Sequence, residues 1–166
     1  ERVTQGSLAE GADQEFASLN VMVLVRDVGS PDRPAESGGQ RLFGNPDELF
    51  LQSQPKRGLL TPAEVRSMAL AELDLGPNSI VWDIGAGSGS VAIEASQIAA
   101  GGQVYAVEMD AEDFALIGEN AERFSATNVF PVLGRAPEAW ESLPDPDAVF
   151  VGGGVAEIPR VIGAGN

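Results

Sequence analysis

Apolar positions along this chain follow two regimes separated by a polar gap. Residues 1–29 hold one dense run, Leu19 to Val25 (LNVMVLV), whose nearly continuous β-rich character predicts a buried strand. A weak helix is expected before it, over Ser7 to Ala17. Residues 30–41 (SPDRPAESGGQR) combine prolines, glycines and polar side chains and predict a linker. From residue 42 onward, short strand-length apolar runs alternate with segments of helical spacing.

The first of these segments opens at Thr61-Pro62-Ala63-Glu64. Thr61 is expected as the helix cap, Pro62 at the first helical position, and Glu64 as the second half of a capping box. Val65, Met68, Ala69 and Leu73 then predict an apolar face, and Gly76-Pro77 a stop. Ile80 to Ile84 reads as a strand, followed by a glycine-rich turn and a helix with Val91, Ala95 and Ile98 on one face, ended by Gly101-Gly102. Val104 to Val107 is a second strand. Asp110 is placed to cap a helix reaching about Phe124, with Phe114, Ile117, Ala121 and Phe124 inward. Asn128 to Leu133 predicts a third strand, which Pro131 keeps from a central position. Ala148 to Val151 predicts a fourth. Strands alternating with helices imply a parallel sheet, in which ligands bind beyond the carboxyl ends of the strands.

Composition narrows the chemistry. The 166 residues include no Cys and no His, which removes disulfides, thiol nucleophiles, Cys/His zinc sites and His-based triads within the chain. Reactivity must come from carboxylates or from a bound cofactor, and no metal site is expected. The formal charge of −15 disfavours nucleic acid as a partner. No apolar run reaches the length of a membrane span.

The most specific feature is Asp83-Ile84-Gly85-Ala86-Gly87-Ser88-Gly89, which follows a strand and opens a helix. Glycines there allow a tight turn and a close approach to a ligand. A dinucleotide fingerprint needs a glycine where Ser90 stands, and Asp83 would repel a pyrophosphate. A carboxylate suits the ammonium of a methionine moiety, or a nearby sulfonium. Glu108, at the end of the next strand, could accept hydrogen bonds from both hydroxyls of a ribose. Gly134-Arg135-Ala136 follows the third strand and is expected beside an adenine. Trp82 and Trp140 read as packing residues. Lys56 and Arg57 read first as solvated, and second as contacts for an anionic substrate.

Four segments carry a family resemblance: Gly58 to Arg66 (GLLTPAEVR), Trp82 to Glu94 (WDIGAGSGSVAIE), Gly134 to Ala139 (GRAPEA) and Phe150 to Gly154 (FVGGG). Together they resemble the decarboxylating precorrin methyltransferases of cobalamin (vitamin B12) biosynthesis. In many bacteria this domain is fused to a carbon-5-methylating one as precorrin-6Y C5,15-methyltransferase, and residues 1–29 look like the tail of that partner, with 30–41 as linker and 42–166 as the methyltransferase part. The resemblance implies a Rossmann-like class I fold and S-adenosylmethionine as cofactor. It also implies methylation at carbon 15 of a precorrin with decarboxylation of the carbon-12 acetate, in a cytoplasmic, often tetrameric enzyme. It places cofactor contacts at Thr61, Gly85, Ala86, Gly87, Ser88, Gly89, Glu108 and Ala136, beside the Asp83 already inferred. The substrate is a polycarboxylate, for which Lys56, Arg57, Arg66 and Arg135 are the candidate basic contacts. No catalytic residue is assigned.

Two other readings stay open on sequence: a class I methyltransferase acting on RNA, protein or another small molecule, and a nucleotide-binding Rossmann module of a different class. The chain opens on Glu1, closes in a glycine-rich stretch at Asn166, and offers four methyltransferase strands. The expectation is a domain cut after the fourth.

Overall fold

The structure, a computed structural model, describes residues 40–53 and 60–153, with Ser7, Glu10 and Val23 as isolated positions. The chain divides into two compact units, Glu1–Ala35 and Glu36–Asn166. The helix and strand expected before residue 29 and most of the linker lie outside the described residues, as do Lys56, Arg57 and Gly154.

The second unit runs as a 3₁₀ turn at Asp47–Leu49, α1 (Ala63–Glu72), β1 (Ile80–Ile84), α2 (Ser90–Ile98), β2 (Gln103–Glu108), α3 (Ala111–Arg123), β3 (Val129–Leu133), a second 3₁₀ turn at Glu138–Trp140, and β4 (Ala148–Val151). All strand pairings are parallel, in the order β3-β2-β1-β4. That order puts Pro131 on an edge strand, where its missing N–H leaves no central ladder position open.

Alternation along the strands sorts side chains to two faces. Val81, Val104 and Ala106 join the cluster built with Val91, Ile93, Ile117 and Phe124 from α2 and α3. Trp82, Ile84 and Val107 join Trp140 on the other face, where the two indoles stack with centroids 5.7 Å apart. α3 begins as its sequence dictates: the Asp110 carboxylate accepts the N–H groups of Glu112 and Asp113.

α1 departs from expectation. Its start carries no side-chain cap, so the Thr61/Glu64 capping box does not form. Val65 and Met68 are 52% and 70% exposed, and the buried positions are Arg66 and Leu70. The reason is a buried ion pair: Arg66 Nε lies 3.1 Å from a Glu94 oxygen on α2. The face that turns inward is therefore set by charge satisfaction, which hydrophobic periodicity does not register.

Candidate functional site

β1 ends at the glycine turn, and three sets of contacts give the turn its shape. Gly85 and Ala86 donate to the Val107 carbonyl at 2.9 and 3.1 Å. Gly87 donates to Glu108 Oε2 at 2.8 Å. Asn120 Nδ2 on α3 donates to the Ser88 carbonyl at 2.9 Å. Gly85, Gly87 and Gly89 all take positive φ, the region open to glycine at little cost. A Cβ at Gly85 would meet the Gly153 backbone at 2.9 Å, and one at Gly89 would meet Ile117 at 3.1 Å. At Gly87 a Cβ would meet nothing within 4 Å. Two glycines thus allow packing, and the middle one presents bare backbone to open space.

That space is an open cleft whose walls include Thr61, Asp83, Gly85, Ala86, Gly87 and Ser88. Asp83 is 1% exposed and pairs in register with Ala106 of β2 and Phe150 of β4. Its Oδ2 accepts the Ala92 N–H at 2.9 Å. Ala92 is the third residue of α2, whose N-cap Gly89 has no side chain to offer, so a strand residue satisfies that orphan donor. The other oxygen, Oδ1, is buried without a hydrogen-bond partner among the described residues. Burial, eased by the Ala92 bond and aggravated by the Glu108 charge, pushes the Asp83 carboxyl up to about 7.

The remaining expected residues are distributed differently. Gly89 lies beneath the turn against Ile117 rather than in the cleft wall. Glu108 already accepts three backbone N–H groups, from Gly87, Met109 and Asp110, each at 2.8 Å. A carboxylate has about four acceptor positions, so a bidentate grip on two hydroxyls would need rearrangement. Ala136 packs with the cluster around Trp82 and Trp140 on the opposite face of the sheet.

Arg66 is not a substrate contact: it is fully buried, paired with Glu94 and Asp47, and its guanidinium donates to the Thr61 and Asn45 carbonyls. Arg135 is exposed. The cleft also recruits residues that sequence reasoning passed over, among them Ser53, Ser90, Asp113 and Phe150. Asp113 had a signal, an acid spaced i, i+4 from the inward Ile117 on one face of α3.

The cleft fits a sulfonium nucleoside such as S-adenosylmethionine on two observations. Bare backbone at Gly87 admits close approach, and the Asp83 Oδ1 is left without a partner among the described residues.

A family model described as the precorrin methyltransferase domain matches residues 54–163. The chain belongs to the precorrin methyltransferase domain family. A probable cobalt-precorrin-6B C(15)-methyltransferase (decarboxylating) from Pyrobaculum calidifontis is 46% identical over 123 residues, covering 73% of this chain and 62% of that protein. A precorrin-6Y C(5,15)-methyltransferase [decarboxylating] from Sinorhizobium sp is 40% identical over 157 residues, covering 92% of this chain and 37% of that protein. Among solved structures, the C-terminal domain of precorrin-6Y C5,15-methyltransferase from Rhodobacter capsulatus superimposes with a TM-score of 0.66 at 33% identity, over 75% of this chain and 66% of that one. The chain therefore spans less than two thirds of the length of either curated relative. The precorrin methyltransferase family membership and the parallel sheet with flanking helices agree with the Rossmann-like class I fold expected from sequence.

Proposed function

We propose that this chain is the cofactor-binding part of an enzyme that methylates carbon 15 of a precorrin and releases the carbon-12 acetate carboxyl as carbon dioxide. S-adenosylmethionine is the proposed methyl donor. The observation that carries the reading is the glycine cradle of residues 85–89 with the orphaned Asp83 oxygen beside it, in a chain of the precorrin methyltransferase family.

S-adenosylmethionine supplies a methyl group already activated on sulfur, so the chain needs no nucleophilic side chain of its own. Gly87 backbone and Ser88 hold the nucleoside, Asp83 orients its ammonium, and Thr61 closes one side of the cleft. Glu108 fixes the turn through Gly87 and keeps one acceptor position toward a ribose. Alignment and exclusion of water account for the rate enhancement asked of such a site.

The substrate is a polycarboxylate, and Lys56, Arg57 and Arg135 are its proposed basic contacts. The 92% coverage by the Sinorhizobium relative cannot be met by residues 36–166 alone, which supports reading residues 1–29 as the tail of a carbon-5-methylating domain. Among the described residues no helix is long and apolar enough to cross a membrane. A cytoplasmic homo-oligomer, tetrameric as the resemblance implies, completes the proposal and is checked by light scattering.

The deciding experiment is calorimetric titration with S-adenosylhomocysteine. It is followed by incubation with methyl-labelled S-adenosylmethionine and a precorrin, with mass spectrometry of the tetrapyrrole. One methyl gained and one carbon dioxide lost is the expected product. Nucleoside binding without that product, but with label transferred to RNA or protein, would replace the substrate and keep the cofactor site.

A further inference from the structure

Asp113 is a third acid at this site. It is 7% exposed and lines the cleft. Its position is fixed by the inner face of α3: one turn on, Ile117 packs under Gly89, and beyond it Asn120 holds the Ser88 carbonyl. The capping reason for an acid in a first helical turn does not account for it. Asp113 occupies the third helical position, where a capping-box acid bonds the N–H of the cap residue, but the Asp110 N–H is already taken by Glu108 Oε1 at 2.8 Å. The helix dipole favours any acid in this turn, the exposed Glu112 included, and so does not say why Asp113 in particular faces the cleft. The Asp113 carboxylate instead lines the cleft, its oxygens open to it and without a hydrogen bond or ion pair among the described residues. The described residues lining the cleft include two carboxylates, Asp83 and Asp113, and no basic side chain.

We infer that Asp113 is a ligand-binding carboxylate which makes the cleft select the cationic sulfonium form of its nucleoside over the uncharged thioether form, Asp83 meeting the ammonium that both forms carry. This rests on the function proposed above. The two forms differ by one positive charge and one methyl, so a carboxylate facing the sulfur distinguishes them electrostatically. The same selectivity favours release of the spent nucleoside.

The test is calorimetric affinity for S-adenosylmethionine and for S-adenosylhomocysteine, in the wild-type protein, D113N and D113S. The expected result is that the ratio of the two affinities shifts about tenfold away from S-adenosylmethionine in both variants, the loss falling on that ligand. The unfolding midpoint of the free protein is expected to change little, because the carboxylate oxygens open to the cleft and hold no other part of the fold. A ratio that changes less than twofold, or equal losses for both ligands, overturns the inference, since Asp113 would then meet nothing or a group the ligands share. A lowered midpoint with the ratio unchanged overturns it as well, in favour of a purely structural acid. Failure of the wild-type protein to bind either nucleoside overturns the underlying functional reading instead.

Discussion

Glu108 holds Gly87: the end of β2 carries the carboxylate, the glycine turn carries the N–H, and the two meet at 2.8 Å. The same side chain takes the Met109 and Asp110 amides, so one residue shapes the turn and starts α3.

Replacing Glu108 with Gln is expected to be nearly as damaging as replacing it with Ala. An amide offers one acceptor oxygen where three N–H donors converge, and its NH₂ would face a donor. Each variant should lose about 2–3 kcal/mol in urea unfolding and weaken S-adenosylhomocysteine binding at least tenfold. A Gln variant with wild-type stability would show that the backbone bonds at this corner carry little.

Asp83 makes stability depend on pH. Its ordinary value is 3.8 and its folded value about 7. Below about pH 4 both states hold the proton and burial carries no charge penalty. Between those values the unfolded chain loses the proton while the folded one keeps it, so stability falls as pH rises, and the loss levels off once the folded group ionises above about 7. The full difference corresponds to about 4 kcal/mol. D83N should lack this decline, read as the difference between the two urea midpoints from pH 4.5 to 8. Parallel profiles would refute it.

The glycines of the turn should separate stability from binding. Gly87→Ala meets open space and requires only the left-handed backbone, at about 1–2 kcal/mol. It should stay folded and lose most nucleoside affinity. Gly89→Ala adds a contact at 3.1 Å with Ile117 and should lose more stability than Gly87→Ala. Thermal unfolding and titration on the same samples decide it, and the reverse order would mean that Gly87 does not face the ligand.

Arg66 and Glu94 form a buried pair whose partners include backbone groups of two separate segments, besides the side chains of Asn45 and Asp47. Glu94 accepts from Gly44 and Asn45, and Arg66 donates to the Asn45 and Thr61 carbonyls. Removing the cation, as in R66A, should cost about 3–5 kcal/mol because the buried Glu94 charge is stranded, and E94A should cost less because Asp47 still faces Arg66. The double variant R66M/E94Q should recover part of that loss. Additive losses in a double-mutant cycle would deny the coupling.

The strands and their caps were legible because their signals are local. Asp110 caps α3 through its own neighbours, and Pro131 announces an edge. The inner face of α1 was not, because Arg66 is buried by an acid 28 positions away in the chain. The glycine turn was readable as a site, yet the division of labour within it was not. Gly85 and Gly89 look like Gly87 in sequence and differ only in what stands opposite each. Asp113 was hidden for a related reason: an acid in a first helical turn is ordinary, and only the capture of the Asp110 amide by Glu108 removes the capping explanation.

The Asn120 side chain has a mechanical consequence. It exchanges two hydrogen bonds with the Leu51 backbone and reaches the Ser88 carbonyl with the same amide. Leu51 leads directly into Ser53 at the cleft's rim, while Ser88 belongs to its floor. One planar group thus rivets rim to floor: a fluctuation that lifts the 51–53 stretch also slackens the turn, so amide hydrogen exchange at Leu51 and at the turn should respond together when the cleft fills.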